Sequence, residues 1–429
     1  FLHEVLLEGA KQQLLRIAKE TKDMDMLILI GIPVRVRGSL YNCAAVLHKG
    51  DILGMVPKRN IPNYTEFYEL RHFTEATEET AEYLTWGEQE FALSPMQVFQ
   101  CTEMPEFAVG AEICEDLWVS NPPSSALAAA GATIIYNLSA SDEIIGKAAY
   151  RRDLVRMQSG RGQCGYVYCD AGQGESSTDL VFAAHNIIAE NGSILAQSKR
   201  FATGLTISEI DVKRMDYERR RQNTFHTEDV FDYAEIPFDM QLRETTLTRT
   251  VAQTPFVPSN KDDLAERCEE ILTLQATGLA TRVRHAHAKT AVVGLSGGLD
   301  SALALVVTVH AFDMLGRDRK DIIAVTMPCF GTTSRTKNNA LTLAAAYGTT
   351  CKTIEIGASV TQHFIDIGHD MEDHSVTFEN GQARERTQVL MDLANKTGGM
   401  VIGTGDLSEL ALGWATYNGD HMSMYGVNA

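Results

Sequence analysis

Short hydrophobic runs alternate with stretches of helical periodicity over residues 1–225. Runs of apolar and β-branched residues bounded by turn residues are typical of strands. The predicted strands are Met26–Ile32, Cys43–His48, Phe107–Ile113, Ala132–Leu138, Tyr166–Asp170 and Leu180–Ala184. The predicted helices are Glu4–Lys19, Ser124–Ala130 and Gly146–Arg161. We interpret the charged run Arg214–Arg221 as a solvated tail of this domain.

The hydrophobic rhythm weakens between residues 226 and 258, where Pro237 and Pro255 interrupt it. We therefore predict a linker over 226–258, between domains at 1–225 and 259–429. After the linker, the predicted strands are Thr290–Leu295, Asp321–Met327, Lys352–Ile356 and Met400–Gly403. The predicted helices are Asp262–Arg284, Asp300–Leu315, Lys337–Tyr347 and Arg384–Thr397. Strict alternation of strands and helices predicts an α/β domain with a doubly wound parallel sheet.

Composition narrows the classes of protein that this chain can belong to. Of its 429 residues, 44% are hydrophobic and 22% are charged, which is typical of globular domains rather than of disordered chains. No hydrophobic run approaches the ~18 residues of a membrane span, so we predict no membrane partner. The net charge of −18 argues against a nucleic-acid partner, which would need a basic surface. The eight cysteines form no C-x-x-C pair, and we predict reduced thiols in a cytoplasmic protein.

The clearest candidate site is the sequence SGGLDS at Ser296–Ser301, between a predicted strand and a predicted helix. Gly297 and Gly298 let backbone N–H groups turn toward an anion, and the helix N-terminus adds partial positive charge. The carboxylate of Asp300 can reach a Mg²⁺ ion. No lysine follows the glycines, so the motif disfavours the γ-phosphate transfer of a Walker loop. The alternative, a tight turn without a ligand, is disfavoured by the flanking serines and aspartate.

Two later segments are candidates for completing this site, because ligands of parallel sheets bind at the carboxyl ends of the strands. The segment Asn380–Gln388 offers an amide and the two arginines Arg384 and Arg386, which suit a phosphate-bearing substrate. Gly403–Trp414 follows a predicted strand and supplies hydroxyl and carboxylate groups. The alternative for the two arginines is a charged, solvated helix face.

A second constellation lies in the first domain. Cys114 directly follows the predicted strand Phe107–Ile113, and strand ends commonly expose catalytic groups. Its acidic neighbours disfavour a thiolate, so a nucleophilic role needs a general base and a nearby cation. Lys58 is one candidate cation. The alternatives are a small buried hydrophobe for the cysteine and a surface charge for the lysine.

The motifs resemble known families when they are taken together. PKRNIPNYTEFYE at Pro57–Glu69 and EICEDLW at Glu112–Trp118 resemble the lysine and cysteine motifs of nitrilase-type amidases. SGGLDS resembles the ATP pyrophosphatase motif. With QARERTQVLMDLAN and GTGDLSELALGW added, essentially the whole chain resembles the glutamine-dependent NAD synthetases. The resemblance implies a nitrilase-like αββα sandwich followed by a doubly wound α/β domain of the adenine nucleotide alpha hydrolase type.

The resemblance also implies a ligase reaction with glutamine as the amide donor. In that family the first domain hydrolyses glutamine, so Cys114 is expected to attack the side-chain amide while Lys58 stabilises the oxyanion. Glutamine contacts are expected at Tyr64, Ser141 and Lys147. Lys147 stands where an arginine can occur, which keeps the charge and loses bidentate geometry.

The ammonia is then expected to reach the second domain, where ATP adenylates deamido-NAD before amidation to NAD. The implied ATP contacts are Gly294, Leu295, Ser296, Gly297, Gly298, Leu299, Asp300, Ser301 and Thr404. The implied deamido-NAD contacts are Asn380, Arg384, Glu409 and Trp414. Asp300 and Glu409 are the implied Mg²⁺ ligands. The resemblance further implies a homo-oligomer.

One departure from the pattern concerns the general base. Nitrilase-type sites use a Glu–Lys–Cys triad whose glutamate precedes the lysine, and neither Glu4 nor Glu8 matches that position. We therefore expect the base to be missing and the chain to be a fragment, lacking both ends, without glutaminase activity. Two alternatives stay open. One is another glutamine-dependent ATP-pyrophosphatase amidotransferase, and the other is an inactive nucleotide-binding fragment.

Overall fold

The chain forms two compact units, Phe1–Val251 and Ala252–Ala429. The computed structural model describes residues 1–175, 180–227, 232–258, 260–331, 334–419 and 421–428. Within these ranges, no helix combines the length and the hydrophobicity that crossing a bilayer would require. Each unit is built on its own sheets, and each is described by itself below.

Unit 1 contains two sheets and four α-helices among its described residues. The helices are α1 (Glu4–Glu20), α2 (Pro123–Ala129), α3 (Lys147–Arg161) and α4 (Val212–Arg221). The strands are β1 (Leu27–Val36), β2 (Ser39–His48), β3 (Asp51–Pro57), β4 (Glu82–Trp86), β5 (Gln89–Leu93), β6 (Gln97–Cys101), β7 (Ala108–Ile113), β8 (Ile134–Ser139), β9 (Gly165–Asp170), β10 (Ile187–Glu190), β11 (Ser193–Gln197) and β12 (Ala234–Phe238). The first sheet has the order β1-β2-β3-β5-β4, and the second has the order β11-β10-β9-β8-β7-β6-β12.

The uninterrupted hydrophobic run in β2 has a simple cause, since both faces of the first sheet are covered. Cys43 and Ala45 pack with residues of α1, whereas Ala44 and Val46 pack with residues of the second sheet. Successive side chains of a strand point to opposite faces, so each face receives every second residue. Such a strand shows no hydrophobic-to-polar alternation.

The second sheet is also covered on both faces. Val109 and Ala111 of β7 belong to the core between the two sheets. Ala108 belongs to the opposite core, which includes Leu127 of α2 and Val155 of α3. The layers therefore run helix, sheet, sheet, helix, and the predicted αββα sandwich is confirmed.

The described strands of unit 2 form a single sheet. Its helices are α5 (Lys261–His285), α6 (Leu299–Met314), α7 (Ser334–Ala346), α8 (Gly357–Ile367), α9 (Val376–Thr397) and α10 (Leu407–Leu412). Its strands are β13 (Ala291–Gly294), β14 (Ile322–Thr326), β15 (Thr350–Thr353), β16 (Met400–Asp406) and β17 (Tyr425–Asn428). The sheet has the order β15-β14-β13-β16-β17, and every pairing in it is parallel.

Helices cover both faces of this sheet. Ala291 and Val293 belong to the core shared with α5 and α6, whereas Val292 belongs to the core shared with α8 and α9. The predicted doubly wound parallel sheet is confirmed. The strand order reverses between β13 and β16, and at such a switch point the loops after the two central strands diverge and leave a crevice.

Two sequence-based strand predictions are wrong. Leu180–Ala184 forms no strand, since only Phe182 makes an isolated bridge, to Asp142. The φ of 50° at Ala184 ends the extended run, and its N–H donates to a loop carbonyl, that of Ala171. The strand predicted at Lys352–Ile356 lies earlier, as β15, because its backbone pairs with β14 there.

The charged run predicted to be a solvated tail is instead the packed helix α4. Val212 and Met215 are buried. Arg219 donates hydrogen bonds of 2.7 Å and 3.0 Å to the backbone carbonyls of Ala132 and Gly162. Inside the interval predicted as a linker, β12 pairs in parallel with β6 as an edge strand of the second sheet.

Candidate functional site

Cys114 lies at the carboxyl end of β7, where it begins a short 3₁₀ turn, Cys114–Leu117. Its φ is 48°, a left-handed conformation that few residues other than glycine adopt and that is common at active sites. The Cys114 N–H donates to Oδ1 of Asn137 over 3.1 Å, and the Ile113 N–H donates to Oδ2 of Asp116 over 2.9 Å. Side-chain acceptors therefore hold the turn that presents the thiol.

A buried carboxyl lies behind this turn. Glu112 accepts a hydrogen bond from the Tyr166 hydroxyl and another, over 2.8 Å, from the N–H of Ser124. Burial raises the pKa of Glu112 to about 7, and the negative charge of Asp116 adds to the shift. Asn137 joins this group to the thiol turn, since its Nδ2 donates to the carbonyl of Cys114 over 3.4 Å and to the hydroxyl of Tyr166 over 3.2 Å.

Lys58 is a buried cation beside the thiol. Its side chain is 2% exposed, and its Nζ donates to Oε2 of Glu69 over 2.5 Å. Burial alone would lower the pKa of Lys58, but the charges of Cys114 and Glu69 outweigh it and the net shift is upward. Lys58, Glu69 and Cys114 line one cavity of about 760 Å³. An ammonium group held charged at this place can stabilise negative charge that develops on a substrate oxygen.

The three residues expected to hold glutamine line a second cavity that also opens on Cys114. This cavity has a volume of about 480 Å³ and includes Tyr64, Ser141 and Lys147 in its lining. The Tyr64 hydroxyl donates to Oε1 of Glu115 over 2.8 Å. The structure thus brings these predicted side chains together with the thiol.

Lys147 also faces an aromatic wall. Its Nζ lies 5.5 Å from the ring centroid of Phe67 and 5.2 Å from that of Trp118, and it donates to Oδ1 of Asp142. The two aromatic rings beside the ammonium group give the cavity one apolar side and one charged end. A polar amino acid with an aliphatic stem fits such a lining.

Glu4 and Glu8 were not expected to serve as general bases, and their positions on α1 agree with that reading. Glu4 forms an exposed ion pair with Arg35, at 2.5 Å, and Glu8 is exposed. Neither residue is among those that line the two cavities at Cys114.

The SGGLDS segment forms the turn from β13 into α6, as predicted. Gly297 has a φ of 87°, and Gly298 precedes the first residue of the helix. Ser296 Oγ accepts from the Gly298 N–H over 3.2 Å and lies 3.1 Å from Ser301 Oγ. The two serine hydroxyls therefore restrain the backbone of the loop through hydrogen bonds within it.

A cavity of about 420 Å³ opens at the switch point of this sheet. It is lined by Gly294, Leu295, Ser296, Asp300, Ser301, Thr404 and Glu409 among the predicted site residues. Asn428 ties its two sides together, since its Nδ2 donates to the backbone carbonyls of Asp300, over 3.0 Å, and Thr404, over 2.9 Å.

The two predicted arginines, Arg384 and Arg386, lie in different surroundings. The segment Asn380–Gln388 lies inside helix α9, which begins at Val376 and not at the predicted start, Arg384. Arg386 lines the 420 Å³ cavity and is its only lysine, arginine or histidine among the described lining residues. Arg384 is exposed instead, and its Nε donates to the carbonyl of Tyr417 over 3.1 Å.

Five other predicted contacts lie outside the described lining of this cavity: Gly297, Gly298, Leu299, Asn380 and Trp414. Leu299 is 83% exposed and Trp414 is 79% exposed. Asn380 Oδ1 accepts from the Thr416 hydroxyl over 3.1 Å. Their roles as ligand contacts stay predictions.

Asp300 and Glu409 are the carboxylates that could hold a Mg²⁺ ion. Both line the cavity beside the phosphate loop. Glu409 also caps α10, since its Oε2 accepts from the Asp406 N–H over 3.1 Å. Among the described side chains, no group of three or more histidine, cysteine, aspartate and glutamate residues could hold a metal ion. Two carboxylates still fit Mg²⁺, which is commonly bound by one or two carboxylates together with substrate phosphates.

Sequence reasoning missed Glu69 and Arg151. Glu69 stands at the end of a quoted motif without an assigned role, and Arg151 lies within the predicted helix Gly146–Arg161, also without an assigned role. Each acts through contacts with residues of other segments. Partners of this kind leave no signal in the local hydrophobic pattern.

Comparisons with known families agree with this division of the chain. Residues 2–220 match the carbon-nitrogen hydrolase family model, and residues 271–425 match the NAD synthase model. The glutamine-dependent NAD(+) synthetase of Mycobacterium tuberculosis is 42% identical over 443 residues, covering 100% of this chain and 65% of the relative. The enzyme of the same name from Thermotoga maritima is 28% identical and covers 98% of this chain and 68% of its own length.

The chain thus spans about 65% of the length of the first curated relatives that it matches. Among solved structures, the glutamine-dependent NAD+ synthetase of Acinetobacter baumannii, in complex with ADP, aligns with a TM-score of 0.37 at 23% identity. That alignment covers 100% of this chain and 70% of the other.

Proposed function

This chain belongs to the carbon-nitrogen hydrolase family and continues into an NAD synthase domain, and from this pairing we propose that the protein is a glutamine-dependent NAD synthetase. The observation that carries the proposal is the presence of two different reactive sites in one chain. One site pairs a thiol with a buried lysine, and the other pairs a phosphate-type loop with carboxylates and an arginine.

In the first reaction, glutamine occupies the 480 Å³ cavity between Tyr64, Ser141 and Lys147. Cys114 Sγ attacks the side-chain amide carbon, and the Lys58 ammonium stabilises the oxygen that becomes negative. Collapse of the tetrahedral intermediate breaks the C–N bond, the leaving nitrogen takes up the proton that the thiol gave up, and ammonia departs while a thioester remains. Water then hydrolyses the thioester to glutamate and the free thiol.

In the second reaction, the carboxylate of deamido-NAD attacks the α-phosphorus of ATP, and pyrophosphate leaves. The N–H groups of Gly297 and Gly298 and the hydroxyls of Ser296 and Ser301 bind phosphate oxygens at the start of α6. Ammonia then attacks the adenylated carboxyl carbon, and AMP leaves as NAD forms. Thr404 binds ATP from the end of β16, while Asn380, Arg384, Glu409 and Trp414 contact deamido-NAD.

Mg²⁺ belongs to this proposal as a charge that offsets the phosphates. Asp300 and Glu409 would hold it at the edge of the phosphate cavity. We also propose that the protein is cytoplasmic and forms a homo-oligomer. Its eight cysteines are all free in the structure, which suits a reducing compartment.

The test uses the natural protein that contains this chain, with Cys114→Ala as the variant. Pyrophosphate and NAD are measured with ATP and deamido-NAD, once with glutamine and once with ammonium chloride as the nitrogen source. We expect Cys114→Ala to lose NAD formation with glutamine and to keep it with ammonium. Equal activity of the variant with both nitrogen sources would remove Cys114 from the mechanism. No pyrophosphate from the wild type with deamido-NAD would favour another amidotransferase.

A further inference from the structure

Arg151 is the largest fully buried side chain in the described part of the protein, and the proposed mechanism does not use it. It lies on α3 with 0% exposure, and its guanidinium makes four polar contacts. Nη1 donates to Oε2 of Glu143 over 2.8 Å and lies 3.0 Å from Nδ1 of His185. Nη2 donates to the carbonyl of Asp142 over 3.2 Å and to Oγ of Ser141 over 3.4 Å.

Three of these contacts hold one loop, residues 140–146, which connects β8 to α3. This loop carries Ser141 and leads directly to Lys147, two of the proposed glutamine contacts. Asp142, whose carbonyl Arg151 binds, accepts from the Lys147 ammonium through its own carboxylate. The guanidinium therefore hydrogen-bonds Ser141 directly and is connected to Lys147 through Asp142.

The surroundings of Arg151 keep the cluster charged and fixed. Burial would raise the pKa of Glu143, but Arg151 and Arg200 outweigh it and the net shift is downward, so that carboxylate is ionised. Arg200 donates to the second oxygen of Glu143 over 3.0 Å. Burial, with a contribution from Arg151, lowers the pKa of His185 to about 4, so its ring is neutral near pH 7. A forked guanidinium suits this geometry because it can bind several oxygens in one plane.

We propose that Arg151 is the positioning residue of the glutamine site, which sets loop 140–146 so that Ser141 and Lys147 face the thiol. It acts through these residues and does not touch glutamine, since it is fully buried and is not among the residues that line the 480 Å³ cavity. This inference rests on the proposed function, because it assumes that glutamine binds between those side chains.

The experiment measures protection of Cys114 from iodoacetamide by L-glutamine, with alkylation of the Cys114 peptide followed by mass spectrometry. Four variants are compared with the wild type of the natural protein. Arg151→Met removes the donors, Arg151→Lys keeps the charge without the fork, and Glu143→Gln weakens the anchoring ion pair. Arg152→Met is the matched control, because Arg152 is the next residue of α3 and is exposed.

We expect the glutamine concentration for half protection to rise about tenfold in Arg151→Met, the equivalent of 1.4 kcal/mol. Arg151→Lys and Glu143→Gln should show smaller rises, and Arg152→Met should show none. The alkylation rate without glutamine should not change, because none of the four polar contacts of Arg151 described above is with the thiol turn. A general structural fault would instead alter that rate and leave no rescue by lysine.

Wild-type protection in folded Arg151→Met overturns the inference while leaving the proposed function standing. If Arg151→Met does not fold, Glu143→Gln decides: a raised half-protection concentration supports the inference, and a wild-type value overturns it. Absence of protection in the wild type at any glutamine concentration overturns the proposed function, and the inference with it.

Discussion

Gly297 is the position where the phosphate loop depends most directly on one residue type. Its φ is 87°, and a Cβ built on it would lie 2.2 Å from the backbone carbonyl oxygen of Thr336 in the first turn of α7. Gly298, its neighbour, has a φ of −88°, and the nearest atom to its Cβ would be the Ser296 hydroxyl at 3.3 Å. The two glycines therefore form a matched pair for the change Gly→Ala.

The expected cost of Gly297→Ala has two parts. A left-handed conformation costs a residue with a Cβ roughly 1–2 kcal/mol. The overlap with a backbone oxygen, which cannot rotate away, adds about 1–3 kcal/mol as in other overpacked sites. The sum is about 2–5 kcal/mol, whereas Gly298→Ala should cost about 1 kcal/mol or less because only a hydroxyl must move.

Thermal unfolding of unit 2 measures this difference. For a unit of this size 1 kcal/mol shifts the Tm by about 2–4 °C, so Gly297→Ala should lower its transition by about 4–20 °C. ATP should also raise the Tm of the wild type and not that of Gly297→Ala, because the distorted loop no longer presents its N–H groups. Equal Tm values for the two alanine variants would refute the reasoning.

Three further changes test other parts of the account. Lys58→Met leaves the Glu69 carboxylate without its buried partner, so the free energy of unfolding of unit 1 should fall by about 3 kcal/mol. Urea unfolding measures this change, and an unchanged midpoint would contradict a stabilising ion pair between Lys58 and Glu69. The pKa of Glu112 is about 7 in the folded protein and 4.5 in the unfolded chain, so the stability of the wild type, measured as Tm, should fall as pH rises from 4.5 to 7. Glu112→Gln has no proton to lose and should show a smaller fall in Tm. Parallel Tm profiles for the two proteins would contradict the raised pKa of Glu112. In a pyrophosphate release assay, Arg386→Gln should raise the KM for ATP about tenfold, and Arg384→Gln should leave that KM unchanged. A raised KM in Arg384→Gln together with an unchanged KM in Arg386→Gln would contradict the placement of Arg386 in the cavity.

Much of the fold follows from local pattern. Buried strands such as Cys43–His48 lie in continuous hydrophobic runs, because helices or a second sheet cover both faces of each sheet. Prediction failed where tertiary contacts decided the outcome. At Leu180–Ala184 a hydrophobic run satisfies its backbone through loop partners instead of a sheet.

The site was predictable to a different degree. The motif resemblance predicted that Cys114 and Lys58 belong to one site, and in the structure both line one cavity. The choice between Arg384 and Arg386 could not be made from sequence, because it depends on which face of the helix lies against the cavity. Residues two apart on a helix point about 200° apart, so only one of the two arginines can face the cavity. Glu69 and Arg151 depend on contacts between distant segments, which no periodicity reports.

The central claim is that nitrogen released at Cys114 is installed by the ATP-dependent site of the same protein. The most direct measurement supplies amide-¹⁵N glutamine, ATP and deamido-NAD to the natural protein that contains this chain and follows the mass of the dinucleotide product. The account predicts NAD that carries one ¹⁵N atom in its amide, absent from Cys114→Ala and restored without label by ordinary ammonium. Unlabelled NAD from the wild type, or labelled NAD from Cys114→Ala, would contradict it.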